Sequence, residues 1–266
     1  MSACAAAPSS LAGKRVLVTR PAAQSQALCA AIRARGGVPE CFPLIEIGPC
    51  EDQAAFIDVS ARLDAFDLAF FVSANAVEHA LTFLLARREW PSGLAVATVG
   101  KGSERCLKRF GFDRVIAPGQ GFDSEAVLAL PEFAPASVYG RRVIVFRGNG
   151  GREHLGEVLR ERGARVEHVV CYQRKFPSGD PRALVAMAAA GMLDAITLTS
   201  SEGLRNFVLL LGPEGIGSLC HVPVFAAHHR IAALAQEAGF ESVFDTGPGD
   251  EGLVHALESQ LSTTSG

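Results

Sequence analysis

The segment Gly13-Lys14-Arg15-Val16-Leu17-Val18-Thr19-Arg20 returns as Gly140-Arg141-Arg142-Val143-Ile144-Val145-Phe146-Arg147, every position displaced by 127 (140 − 13). The same offset carries Leu28 onto Leu155, Arg33 onto Arg160, Arg35 onto Arg162, Gly36 onto Gly163, Asp67 onto Asp194, Ser73 onto Ser200, Leu107 onto Leu234, Asp123 onto Asp250 and Leu130 onto Leu257. Unrelated segments rarely keep one register from Gly13 to Leu130, so the chain is read as a duplicated unit. Its 266 residues exceed the usual size of one domain, and 48% hydrophobic with 20% charged residues suffices for two buried cores.

Within each copy, short apolar runs alternate with longer segments of helical period. In the first copy Val16–Val18, Leu68–Val72 and Ala95–Val99 read as buried strands, and Gln24–Arg35 and Ala74–Arg87 as helices. In the second, Val143–Phe146, Ala195–Leu198 and Val222–Ala226 are the strands; Arg152–Arg162, Glu202–Leu211 and Arg230–Ala238 are the helices. Such alternation predicts an α/β fold with doubly wound parallel sheets. Pro39–Gly48 and Glu167–Lys175 break the rhythm and read as extended inter-domain connectors. Two such stretches at equivalent places permit either a tandem arrangement or an exchange, in which each copy's first βα unit completes the other domain.

Lys and Arg are dispersed, the formal charge is −3 and the pI is about 6.2, so no nucleic-acid footprint is present. The seven cysteines form no CxxC pair and no Cys/His metal spacing, and reduced, mostly buried thiols are expected. Met1–Ala7 lacks a signal-peptide pattern, and no run of about 18 uncharged apolar residues predicts a membrane span. A cytoplasmic protein is expected.

Seven motifs in order are Val16–Pro21, Phe71–Val77, Val99-Gly100 with Ser103, Phe122–Glu125, Arg147–Glu153, Val169–Arg174 and Leu198–Glu202. Together they resemble the bacterial uroporphyrinogen-III synthases from about Lys14 to about Leu257. The resemblance implies two flavodoxin-like α/β domains, duplicated, exchanged and joined by a two-stranded connector. One domain would comprise residues 1–38 and 175–266 and the other 47–166, with connectors at 39–46 and 167–174. It implies a monomeric, cofactor-free lyase that closes hydroxymethylbilane with inversion of ring D, through an azafulvene and a spiro intermediate. A transient hand-over from hydroxymethylbilane synthase is a further expectation.

The substrate's carboxylates need local donors, because the protein is itself net negative. Helix N-termini supply free N–H groups and positive dipole ends, and in doubly wound sheets they lie at the carboxyl edges of the strands. Candidate substrate-binding residues are therefore Arg20, Ser73, Asn75, Ala76, Gly100, Lys101, Ser103, Arg147, Gly148, Thr199, Ser200, Ser201, His229 and Arg230, with Arg152 a weaker one. The hydroxyls of Ser73, Ser103, Thr199 and Ser200 serve equally as helix caps. Arg20 and Arg147, at equivalent repeat positions, suit bidentate carboxylate binding or an internal ion pair. Tyr172 matches the family's tyrosine and is the catalytic candidate, assisting loss of the hydroxyl. The family commonly has a threonine where this chain has His228-His229-Arg230, which favours carboxylate binding over a hydroxyl role there; adjacent side chains project differently, so no metal is expected at the two histidines.

Two other readings share these features. One is a non-catalytic two-lobed module binding a small polyanion. The other is a nucleotide enzyme using Arg147–Gly151, but that run matches neither GxGxxG nor GxxxxGK[ST].

Overall fold

The computed structural model describes residues 10–50, 52–121, 123–150, 153–247 and 249–262. The chain begins with β1 (Arg15–Val18), α1 (Ala22–Arg33) and β2 (Val38–Cys41). It continues through β3 (Glu46–Pro49), α2 (Ala54–Ala61), β4 (Leu68–Phe71), α3 (Ala74–Leu85), β5 (Ala95–Thr98), α4 (Lys101–Arg109), β6 (Val115–Ile116), α5 (Ser124–Leu128), α6 (Pro135–Val138), β7 (Arg142–Gly148), α7 (His154–Glu161) and β8 (Arg165–Lys175). It ends with α8 (Pro181–Ala189), β9 (Ala195–Leu198), α9 (Ser201–Leu219), β10 (Val224–Ala226), α10 (His229–Glu237), β11 (Val243–Asp245) and α11 (Asp250–Leu261). Helix α9 is two helices in succession, broken at Gly212, whose φ of 63° precedes Pro213.

Two compact units divide after Glu46 and after Arg174, the first built from both ends of the chain and the second from its middle. The first unit holds one sheet in the order β11-β10-β9-β1-β2, all parallel. The second holds β8-β7-β4-β5-β6, also parallel, with β3 beside β8 at one edge. Counting the strands on either side of each copy's first helix as 1 and 2, both five-stranded sheets run 2-1-3-4-5, the flavodoxin-like order.

The order exists only because the copies exchange parts. Strand β1 of the first copy pairs with β9 of the second, and β7 of the second pairs with β4 of the first. The registers are the same under the repeat: Val16↔Ala195 corresponds to Val143↔Leu68, since 16 + 127 = 143 and 195 − 127 = 68. Each junction carries one aspartate. Asp194 Oδ2 accepts from Arg15 N at 2.8 Å, and Asp67 Oδ2 accepts from Arg142 N at 2.8 Å. Each aspartate's own N–H donates back to the carbonyl of the same arginine, at 2.9 Å in both units.

The first βαβ element repeats equally closely. Gly13 N donates to Gly36 O and Gly140 N to Gly163 O, both at 3.0 Å, and Gly13 and Gly140 share a φ of 73° that a side chain would strain. Alternation along the central strands sends one set of side chains to each face. Val16 and Val18 join Leu28, Ile32, Leu253 and Leu257, whereas Leu17 joins Ile196, Phe207 and Val224. In the second unit Val143 and Val145 pack with Phe133 and Leu159, while Ile144 and Phe146 meet Phe71, Val77 and Leu81. Both faces are apolar because helices cover both.

The stretches read as connectors lie largely in strands. Residues 39–41 belong to β2, paired parallel with β1, and 167–174 lie inside β8, paired parallel with β7. Their mixture of Pro, Glu, His and Arg reflects edge exposure in β2 and polar partners on both faces of β8, Arg62 for Glu167 and Arg147 for His168.

Removing the carboxylate at an exchange junction leaves the first N–H of a central strand without its charged acceptor. Asp194→Ala is therefore expected to lower the unfolding free energy by about 1.5–3 kcal/mol, measured by chemical denaturation, with Asp67→Ala behaving alike.

Candidate active site

At the carboxyl edge of the second unit's sheet lies a cavity of about 290 Å³, lined by Ser73, Asp123, Arg147, Glu153, His168, Tyr172 and Arg174 among others. Strand β7 ends at Gly148, β4 is followed by Ser73, and β8 passes alongside, bringing His168, Tyr172 and Arg174 to the cavity wall. A bulge between Arg147 and Gly148 shifts the β7–β8 register, so that Gly148 faces Tyr172.

Tyr172 is 1% exposed, and its phenol lies 3.2 Å from Ser73 Oγ. Ser73 caps α3 by accepting from Ala76 N at 3.1 Å. One of the serine's two lone pairs is so occupied; either hydroxyl can donate in the Ser73–Tyr172 bond, and when the serine donates the phenol proton remains for another acceptor. The ring stacks on His79 at 5.8 Å and covers Gly148, where a Cβ would stand 2.7 Å from the ring carbon bearing the hydroxyl. Only glycine admits the tyrosine here.

Arg147 is 8% exposed and donates through Nη1 to Glu153 Oε1 at 3.0 Å. The same nitrogen lies 3.1 Å from His168 Nδ1, which must accept, so the histidine proton sits on Nε2. Among the described residues, His168 Nε2 is buried without a hydrogen-bond partner. Burial, followed by the like charges of Arg160 and Arg147, holds this imidazole below its ordinary value; burial does the same to His79.

The remaining candidates of this unit lie at the same edge but outside the cavity wall. Gly100 starts α4 without a side-chain cap, Lys101 is exposed and pairs with Glu104 at 3.2 Å, and Ser103 is buried. Asn75 is in the first turn of α3, and the Ala76 N–H is already held by Ser73.

The first unit collects its candidates at its own carboxyl edge. Ser200 caps α9, accepting from Gly203 N at 3.2 Å, with Thr199 before it and Ser201 as the first helical residue. His228 supplies the cap of α10 through Nδ1, which accepts from Arg230 N at 3.2 Å, so an imidazole does the capping a hydroxyl would do. His229 and Arg230 are exposed, and the His228 and His229 rings lie 4.1 Å apart. Arg20 pairs with Asp250. Both repeat arginines are thus engaged in internal ion pairs. Arg152 lies outside the described residues.

His168 escaped the sequence reading, although it directly precedes the Val169–Arg174 motif. Metal-ligating groups also meet where the spacing suggested none: Cys220, His221 and Glu241 converge with ligand atoms within 4.8 Å of one another. They precede β10 and β11 and so lie at the amino edge, away from the candidates.

The family model described as uroporphyrinogen-III synthase HemD matches residues 26–255. The chain belongs to the uroporphyrinogen-III synthase family. It is 31% identical to the uroporphyrinogen-III synthase of Escherichia coli (strain K12), over 91% of this chain and 99% of that one. It is 33% identical to the Salmonella typhimurium enzyme over the same shares, and 35% identical to that of Synechococcus elongatus over 76% of each chain. The fold is that of a mutant uroporphyrinogen III synthase from the extremely thermophilic bacterium Thermus thermophilus, with a TM-score of 0.61 and 17% identity across 94% of this chain and 99% of that one. The Helicobacter pylori protein gives a TM-score of 0.57 at 16% identity, covering 92% and 98%. Among the described residues no helix is long and apolar enough to cross a membrane.

Two outcomes follow from this geometry. Gly148→Ala should push the Tyr172 ring off Ser73 and cost about 1–3 kcal/mol of stability through overpacking, read by thermal unfolding. His168 has a folded pKa below the ordinary value of about 6.5, so the unfolded chain binds more protons as the pH falls. Its contribution to stability is present above about pH 6.5 and is lost as pH drops through the folded value. Denaturation of His168→Gln between about pH 7 and 5 should show a shallower decline than the parent.

Proposed function

We propose that this chain closes hydroxymethylbilane to uroporphyrinogen III, inverting ring D, as a cytoplasmic monomer that uses no cofactor and takes its substrate from hydroxymethylbilane synthase. The observation that carries the reading is the Tyr172–Ser73 pair on the wall of a cavity that also holds Arg147, His168 and Arg174. At about 290 Å³ the cavity is at the lower end of small-molecule sites. It suits one end of a linear tetrapyrrole. Relatives named uroporphyrinogen-III synthase, at 31–35% identity, support the same assignment.

In this reading Ser73 donates to the phenol oxygen and directs the Tyr172 proton toward the departing hydroxyl. Loss of that hydroxyl as water leaves an azafulvene cation. The uncatalysed closure takes the free α-carbon of ring D; the enzyme must instead hold the ring so that its substituted carbon attacks, giving a spiro centre that reopens and recloses. The work is orientation and stabilisation of developing charge. Arg174 and Arg147 are proposed to bias the cavity toward carboxylates, with Arg147 oriented by Glu153 and His168. Gly100, Lys101 and Ser103 at the start of α4, and Thr199, Ser200, Ser201, His229, Arg230 and Arg20 at the first unit's carboxyl edge, are proposed as further donors to the acidic side chains.

The test is conversion of freshly generated hydroxymethylbilane by the purified protein, without added metal or cofactor, followed by separation of the oxidised isomers. Isomer III should dominate. Tyr172→Phe should lower kcat by about 10²-fold, the lower end of what a positioned acid contributes, while retaining isomer III. Recovery of isomer I alone from the parent protein would overturn the assignment.

A further inference from the structure

Two thiols of the first unit face each other in a way neither the fold nor the proposed reaction requires. Cys29 is buried on α1, Cys41 is the exposed last residue of β2, and their sulfurs are 3.4 Å apart. We infer that Cys29 and Cys41 form a redox-active dithiol that closes to an intramolecular disulfide under a hydroperoxide.

The geometry needs little change. A disulfide bond is about 2.05 Å long, so the sulfurs approach by roughly 1.4 Å, a distance side-chain rotation supplies. Helix α1 and strand β2 are consecutive elements of one βαβ unit, and β2 is held to β1 along its length, with Val18 opposite Cys41. The two cysteines are therefore fixed relative to each other before any oxidant arrives. Their exposures differ usefully: a soluble hydroperoxide reaches Cys41, whereas Cys29 is shielded and raised by burial and by its neighbour's hydrogen bond.

The step balances. The Cys41 thiolate attacks one peroxide oxygen, the O–O bond breaks, and Cys41 becomes a sulfenic acid as the other oxygen leaves as water. Cys29 then loses its proton and displaces hydroxide from the Cys41 sulfur, forming the S–S bond and a second water. Two thiols and one hydroperoxide molecule give one disulfide and two waters when the oxidant is hydrogen peroxide.

The repeat supplies a second, independent observation about the place. Under the offset of 127, Cys29 corresponds to Gly156 (29 + 127) and Cys41 to His168 (41 + 127). That pair also touches in the second unit, where a Cβ on Gly156 would lie 2.4 Å from His168 Nε2. His168 lines the cavity and takes the hydrogen bond of Arg147, the repeat partner of Arg20. Cys41 thus occupies the position that, in the other sheet, forms the wall of a cavity beside the repeat arginine. Directly after it, Phe42 N and Leu44 N donate to Val18 O and Thr19 O, both at 3.0 Å, bracing the turn that carries Arg20. A crosslink from Cys41 to α1 would pin this edge of the sheet.

The experiment treats the full-length reduced protein with a small excess of hydrogen peroxide, blocks remaining thiols with an alkylating reagent, and maps the peptides by mass spectrometry. Cleavage at Arg33 separates Cys29 from Cys41, and cleavage at Glu46 separates Cys41 from Cys50. The expected result is a Cys29–Cys41 peptide, two hydrogens lighter than its parts and returned to free thiols by dithiothreitol. Cys29→Ala should convert the product to Cys41 sulfenic or sulfinic acid. Recovery of Cys29 and Cys41 fully alkylated while the other thiols react, or of Cys41 over-oxidised beside a free Cys29 in the parent protein, would overturn the inference.

Discussion

The pairing of β1 with β9, and of β7 with β4, is the interaction on which the rest of this structure rests. Each is the central joint of a parallel sheet, and each joins the two copies of the repeat rather than one copy to itself. A parallel pair cannot be closed by a hairpin, so the partner must come from afar in sequence. The aspartate at each joint fixes where the strand starts, through a charged acceptor on its first N–H and a backbone bond in return. A slip of one residue would turn Leu17 and Ile144 to the wrong faces of their sheets and unpack four apolar clusters together. Register at the joints and composition of the cores therefore enforce each other.

The edge that carries the candidate site is a consequence of that joint. Because all paired strands of each five-stranded set run one way, their carboxyl ends share an edge, and the following helices start there. Ser73, Ser200 and His228 each accept a backbone N–H to cap the helix they precede, which occupies one acceptor site of each and leaves the two serines their hydroxyl hydrogens as donors. What distinguishes the second unit is the long β8 strand, which sets His168 opposite Val145 and Tyr172 opposite Gly148 and carries Arg174 past the end of β7. The buried Arg147 is tolerable there because Glu153 and His168 meet its Nη1; an unpartnered guanidinium would not remain buried.

Much of this was legible in the sequence. The repeat fixed equivalences that the structure honours at the joints, where Arg15 with Asp194 and Arg142 with Asp67 make the same bonds, and the runs Leu68–Val72 and Ala195–Leu198 read as strands because buried parallel strands must be apolar on both faces. Strand β2 was not legible, since an edge strand such as Val-Pro-Glu-Cys carries no such run. The exchange itself left no periodic trace: the same elements fit a tandem arrangement, and only the family resemblance favoured the swapped one. In the site, Ser73 and Gly148 were visible as turn residues, but the reason Gly148 is glycine became apparent only with the Tyr172 ring against it. The arginines illustrate the limit of motif reading, because a sequence cannot say whether a guanidinium faces a ligand or, as with Arg20 and Asp250, another part of its own chain.

The two copies have diverged most where chemistry is expected. Ser73 and Ser200 are equivalent and both cap a helix, yet the repeat partner of Tyr172 is Ile45 (172 − 127), and that of Gly148 is Pro21 (148 − 127). Pro21 fixes the entry into α1, and Ile45 is 7% exposed. No phenol can therefore reach Ser200 from that position, and the serine keeps only its capping role and its surplus hydrogen. In the second unit the same serine is joined to the Tyr172 phenol, held by a stacked ring and an obligatory glycine. In the proposed reaction one hydroxyl leaves one end of a near-repetitive chain, which asks for a donor at a single place. A scaffold built by duplication reaches that asymmetry by changing the neighbours of a shared serine while leaving the serine itself in both halves.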